Sequence, residues 1–181
     1  LNKGERMVTV KFRGEPVKIT GNVVNKGEKA PVVSVVGQDL SEVKIGGEQG
    51  KAQIVVVVPS LDTSVCASEA RKFNERAASL ENAEVTVVSM DLPFAMGRFC
   101  STEGIKNLRV ASDFRNKDFA KAYGVLIADG ALAGLTCRAV FVIDANGVVT
   151  HKEICEEIAD EPNYDAALNA ASEASSTCCG S

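Results

Sequence analysis

A three-layer α/β fold is what this sequence predicts, and three observations predict it. From residue 53 onward, runs of β-branched residues alternate with helical patterns, the order expected of parallel βαβ units. The first of these runs, residues 53–58, is β-branched without alternation, as expected of a strand covered on both faces and therefore central to a sheet. After residue 139 the pattern changes to two strand-like runs around the turn DANG and then a helix, so an antiparallel hairpin should close the sheet.

The elements follow in order. Residues 7–20 read MVTVKF, RGEP, VKIT, two alternating runs around a turn containing Gly14 and Pro16, which predicts an added N-terminal β-hairpin. Short strands are expected at residues 32–36 and 42–45. After Pro59, an apolar stripe at Cys66, Ala70, Phe73, Ala77 and Leu80 faces away from Arg71, Lys72, Glu75, Arg76 and Ser79, predicting an amphipathic helix with Asp62 and Thr63 as candidate caps. A strand at 85–88 precedes a second helix, with Asp91 and Pro93 as start signals, Met96, Phe99 and Cys100 on one face, and Gly104 as the stop. A third unit joins a strand at 108–111 to a short helix near 116–123, closed by Gly124. Strands at 139–143 and 148–154 lead to a last helix expected to start at Pro162, with Tyr164, Ala167, Leu168 and Ala171 on its apolar stripe. The order βαβαβα then ββα fits a sheet of thioredoxin type better than a doubly wound nucleotide fold, and no glycine-rich phosphate-cradling motif follows any strand.

Composition sets the outer limits. A chain of 181 residues with 45% hydrophobic and 24% charged residues is sized and composed for one globular domain, expected at residues 1–171, with the small polar run SEASSTCCGS at 172–181 expected to be a disordered tail. Twenty Lys and Arg against 24 Asp and Glu give a net charge of −4, which argues against a nucleic-acid partner. The longest aliphatic run, residues 54–58, is far short of the roughly 20 residues that span a bilayer, so no membrane association is expected. The opening LNKGERMVTV lacks the apolar core of a signal peptide, which predicts a cytoplasmic location. Six cysteines are too few for a disulfide-stapled scaffold, and each needs its own reading.

The sharpest local signal is PSLDTSVC, residues 59–66, where a buried strand ends at Pro59 and a helix begins near Thr63. Cys66 then falls in the first helical turn, where unpaired N–H groups and the helix dipole favour thiolate, the reactive form of cysteine. Position alone leaves a second reading open, a small buried hydrophobe on the apolar stripe.

The pattern P-x-x-x-T-x-x-C at Pro59, Thr63 and Cys66 resembles the active-site signature of the peroxiredoxins. DLPFAMGRFC at residues 91–100 resembles the segment that carries the second cysteine in their bacterial thiol peroxidase branch, the atypical two-cysteine peroxiredoxins. The N-terminal hairpin, DFRNKDFAKAYGV, RAVFVID and the closing helix also resemble that branch, from about residue 7 to 171. The resemblance implies a thioredoxin-like antioxidant enzyme in which Cys66 is the peroxidatic nucleophile and Cys100 the resolving cysteine. Arg138 is then the active-site arginine, with Thr63 and Pro59 completing the pocket. It further implies hydroperoxide substrates, organic ones preferred, an intrachain Cys66–Cys100 disulfide recycled by a thioredoxin-type dithiol protein, and a homodimer. No metal, haem, flavin or other cofactor is expected.

Physical chemistry agrees with those roles. A sulfenic acid left by attack of thiolate on an O–O bond can condense with a neighbouring thiol. Cys66 starts one helix and Cys100 ends the next, so helix turns must loosen before their Cα atoms reach the roughly 5.5–6 Å of a disulfide. A free thiol of pKa about 8.5 is already a few per cent ionised at neutral pH, so full ionisation gains only some ten- to thirtyfold. The rest of the acceleration must come from donors aimed at the peroxide oxygens, which Arg138, the Thr63 hydroxyl and backbone N–H groups could supply.

The remaining candidates read more plainly. Cys137 and Cys155 suit packing in strands, Cys178 and Cys179 suit incidental disulfides in a tail, and His151 has no second His for a metal site. Arg98 and Phe94 suit either a substrate mouth or a solvated charge and a core aromatic. Two rival functions remain. A thiol–disulfide oxidoreductase ordinarily needs a second cysteine three residues after the first, where this chain has Glu69, and a silent binding module would leave every thiol reduced after peroxide.

Overall fold

The computed structural model describes residues 8–176, and its elements are ten strands and four helices. β1 (Val8–Phe12) and β2 (Glu15–Thr20) form the expected hairpin. β3 (Val33–Gly37), β4 (Glu42–Ile45) and β5 (Ala52–Val57) lead to α1 (Ser64–Ala77). β6 (Ala83–Ser89), α2 (Pro93–Glu103), β7 (Arg109–Ser112) and α3 (Asp118–Tyr123) complete the βα units. β8 (Leu126–Ile127), β9 (Ala139–Ile143), β10 (Val149–Ile154) and α4 (Tyr164–Ser176) close the chain.

Seven strands form one sheet in the order β10-β9-β5-β6-β7-β3-β4. β5, β6 and β7 are parallel, and β9 runs antiparallel to β5. All six residues of β5 are buried; Gln53 is its one polar residue, with its side chain hydrogen-bonded to Gly46 N and Gly47 O, and the apolar residues after it alternate between the two faces. Ile54 and Val56 face a cluster with Phe73 of α1, Met96 of α2 and Leu168 of α4. Val55 and Val57 face the opposite cluster, with Phe119 and Tyr123 of α3 and Val10, Val17 and Ile19 of the hairpin. The three layers are therefore α1, α2 and α4, then the sheet, then α3 with the small sheet β1-β2-β8.

Several boundaries differ from the sequence reading, each for a physical reason. Pro16 lies inside β2, paired with Lys11, and the turn is Arg13 and Gly14 alone, both with positive φ. β8, two residues long, carries too little periodicity to be seen and exists because Ile19 and Thr20 of β2 pair with it. Leu80 falls beyond the end of α1. Neither Asp62 nor Asp91 caps a helix: Thr63 and Leu92 occupy those positions without side-chain capping bonds. The last helix starts at Tyr164, where Asn163 Oδ1 accepts the Ala166 N–H, so Pro162 precedes the helix. That helix continues to Ser176, into the segment expected to be disordered, while Cys178 and Cys179 lie outside the described residues. Gly104 and Gly124 end α2 and α3 in the left-handed region, as their sequence positions predicted.

Candidate active site

β5 ends at the sheet's carboxyl edge, and residues 58–63 carry the chain into α1, placing Cys66 at the third helical position. This approach is braced by Asp91. Its carboxylate accepts from Ser60 Oγ, Leu61 N and Ser89 Oγ, each at 2.7 Å, so the residue read as a helix-start signal instead holds the loop before the thiol. Thr136 Oγ1 donates to Val58 O at 2.7 Å, tying the approach to β9 just before Arg138. Pro59 is buried in this loop.

Cys66 is fully buried, and its position on the apolar stripe is the one that a packing role would also predict. What distinguishes it is its partner. Arg138 Nη2 donates to Cys66 Sγ at 3.2 Å, across 72 residues of sequence. The same guanidinium donates through Nη1 to Glu69 Oε2 at 2.5 Å and through Nε to Ile158 O at 2.7 Å. Burial works against charge on Arg138, but Cys66 and Glu69 beside it hold its pKa above the ordinary arginine value. Burial pushes the Glu69 carboxyl up to about 7, against the pull of Arg138, and its second oxygen has no hydrogen-bond partner.

Glu69 is the functional neighbour that sequence reasoning missed. In the sequence it stands only at the position where a dithiol enzyme would have its second cysteine. A charged residue on the buried face of α1, one turn beyond Cys66, was the available signal.

The other expected site residues are less tightly gathered. Thr63 is exposed, and its hydroxyl donates to Ser60 O at 3.0 Å, not to the thiol. Cys100, in the last turn of α2, is a free thiol that shares the apolar cluster of Leu61, Cys66 and Met96, and burial pushes its pKa up. The carbonyl of Cys100 accepts the N–H groups of both Gly104 and Ile105, so this turn must open before Cys100 can move. Beside residues 61–62 lies a cavity of about 460 Å³ lined by Leu61, Ala95, Arg98, Phe99 and Thr102. Arg98 thus borders a cavity, whereas Phe94 is 71% exposed and is neither core nor lining. Cys137 and Cys155 are buried and pushed up to about 12 by burial, which fits packing. Among the described residues, no helix is long and apolar enough to cross a membrane.

A three-layer fold of this topology, with a cysteine at a helix start touched by a buried arginine, defines a thioredoxin-fold enzyme that works through a thiol. A family model described as Redoxin matches residues 25–168. A thiol peroxidase of Campylobacter jejuni is 58% identical over 96% of this chain and 97% of its own length. One from Leptospira interrogans is 52% identical over 93% of this chain and 99% of its own. The crystal structure of a peroxiredoxin-like protein from Aquifex aeolicus superposes with a TM-score of 0.89 at 49% identity, covering 93% of this chain and 98% of that one. The chain belongs to the redoxin family and, within it, to the thiol peroxidase branch of the peroxiredoxins, enzymes that reduce peroxides with cysteine thiols.

Proposed function

We propose that Cys66 is the nucleophile of this peroxidase and that Arg138 is its catalytic arginine. The observation that carries the assignment is the 3.2 Å contact from Arg138 Nη2 to Cys66 Sγ at the start of α1. In the reaction the thiolate attacks the terminal oxygen of a hydroperoxide and the O–O bond breaks. Cys66 becomes a sulfenic acid, and the leaving alkoxide takes a proton and departs as an alcohol. Arg138 stabilises charge as it builds on the departing oxygen, where a fixed donor in a dry site acts more strongly than one in water. Thr63 and Pro59 shape the approach, with the Thr63 hydroxyl free to exchange Ser60 O for a peroxide oxygen.

Cys100 then condenses with the sulfenic acid, water leaves, and a Cys66–Cys100 disulfide forms. A thioredoxin-type dithiol protein reduces it, becoming a disulfide in turn. The cavity beside Leu61 and Phe99, whose lining also includes Asp62, Asp91, Arg98 and Glu103, has room for the body of an organic hydroperoxide. Leu92 and Phe94, 53% and 71% exposed at the start of α2, offer apolar surface for a second copy, so a homodimer is the expected state, tested by sedimentation. A cytoplasmic location completes the reading.

Intact mass after one equivalent of peroxide tests the thiol assignments. The wild-type chain loses two hydrogens as the disulfide forms. Cys66→Ser gains and loses nothing and consumes no peroxide, because a hydroxyl stays un-ionised. Cys100→Ser gains one oxygen and stalls. Loss of two hydrogens within one chain of Cys100→Ser would assign resolution to another thiol, and peroxide turnover by Cys66→Ser would overturn the mechanism.

A further inference from the structure

Two of the three acceptors around Arg138, Cys66 and Glu69, belong to α1, and the third, Ile158 O, belongs to a segment that is held from outside the sheet. The guanidinium is planar, so fixing Nε and Nη1 fixes the direction in which Nη2 points. Nη1 is fixed by Glu69, on α1. Nε is fixed by Ile158 O, in the segment that leaves β10. That segment is held on one side by Arg138 itself, just before β9, whose carbonyl accepts from Cys155 N at 3.0 Å. On its other side it is held by β1 of the N-terminal hairpin: Lys11 N donates to Glu156 O at 2.6 Å, and Ile158 N donates to Lys11 O at 2.8 Å.

The hairpin's own turn is fastened to the same segment. Arg13 and Gly14 have φ of 52° and 81°, the two-residue turn in which both central residues are left-handed. Their N–H groups both donate to one carboxylate, Arg13 N to Glu157 Oε1 at 2.9 Å and Gly14 N to Glu157 Oε2 at 3.2 Å. Ala159 N also donates to Glu157 Oε1, at 3.4 Å. These N–H bonds, that from Arg13 foremost, hold the Glu157 carboxyl below its ordinary pKa, so it is ionised at neutral pH. Glu157 thus joins the turn of the hairpin to the residue whose carbonyl aims the arginine.

We propose that the N-terminal hairpin is a clamp that positions Arg138, and that Glu157 is the positioning residue through which the clamp closes. The proposal rests on the reading of Arg138 as the catalytic arginine. Without the Glu157 carboxylate the hairpin stays docked, because Val10, Val17 and Ile19 remain in the core and β2 remains paired with β8. The turn side loosens, the Ile158 carbonyl gains freedom, and Nη2 is no longer held in the geometry that the peroxide needs.

A double-mutant cycle tests this, read as the second-order rate of the reduced enzyme with hydrogen peroxide alongside thermal melts. Glu157→Ala should slow the reaction roughly tenfold, the scale expected when a catalytic group is displaced by a fraction of an ångström. Glu157→Gln, whose carbonyl oxygen can still accept from the turn, should fall between it and wild type. In an Arg138→Ala background, Glu157→Ala should slow the reaction no further, since nothing remains to be aimed. A role confined to stability would lower the melting temperature yet leave the rate unchanged, or slow both backgrounds by the same factor, and either result overturns the clamp. Arg138→Ala reacting at the wild-type rate would instead overturn the arginine's own role. If Glu157→Ala does not fold, the cycle run with Glu157→Gln reads the same coupling.

Discussion

Arg138 is a buried cation with two acidic groups in contact, a cysteine and a glutamate, and the balance among the three is set by their burial. Glu69 is fully buried with one oxygen unpartnered, so its ionised form is disfavoured even beside an arginine. The consequence for stability has a definite sign. The folded-state pKa of about 7 lies above the ordinary 4.5, so the native state holds a proton that the unfolded chain releases between those values. The contribution is fully present below pH 4.5 and is lost as pH rises through about 7. Glu69→Gln carries no such proton, so wild type should lose stability relative to this variant between roughly pH 4.5 and 7, with the difference constant above that window. Denaturant melts at pH 5, 6, 7 and 8 check it, and parallel stability curves for the two proteins would refute it.

At the scale of the element, α2 decides how fast Cys100 can leave its place. The helix is held at its C-terminal end by Gly104 and Ile105 donating to the Cys100 carbonyl, and by Arg71 of α1 paired with Glu103 at 2.8 Å. Asn74 of α1 holds the chain just beyond: its side-chain oxygen accepts from Lys106 N and Asn107 N, at 3.1 and 2.8 Å. This brace lies past the turn that has to open, so α2 can unwind there while the chain to β7 stays in place. Gly104 has φ of 66° and open space where a Cβ would stand, so Gly104→Ala suffers backbone strain without a clash. The substitution should cost about 1 kcal/mol in the closed helix, which makes opening of the last turn roughly fivefold more frequent. Disulfide formation after a single peroxide pulse should quicken accordingly, as read by acid quench and mass spectrometry. An unchanged or slower rate would mean that opening of this turn does not limit resolution.

At the scale of the molecule, the sheet separates two cores with different tasks. The face toward α1, α2 and α4 contains Cys66 and Cys100, while the face toward α3 and the hairpin contains neither. Phe141 of β9 belongs to the second face, fully buried with its ring edge-on to Tyr123 at 5.2 Å. Phe141→Ala should cost about 3–5 kcal/mol, because a site ringed by a rigid sheet and stacked aromatics collapses little around the void. The denaturation midpoint should fall with little change in the slope of the transition. A loss below about 1 kcal/mol would show that this face repacks freely.

Much of the protein was legible in its sequence because the relevant information is local. β5, α1, α2 and the β9–β10 hairpin follow from periodicity and from Pro93 and Gly104 at the ends of α2, and Cys66 at a helix start follows from one strand ending at Pro59. Side-chain partners between distant segments are not local. That Asp91 braces a loop rather than starting a helix depends on β5 and β6 lying side by side. That Glu69 shares Arg138 with Cys66 depends on the start of α1 meeting the residue just before β9. The two-residue β8 exists only because the hairpin is there to pair with it. Local chain stiffness and hydrophobic period determined the elements and the place of Cys66 at a helix start; only the tertiary structure decided which charges meet in the buried interior, because a buried ion's partner is chosen by desolvation and proximity in space, not by separation along the chain.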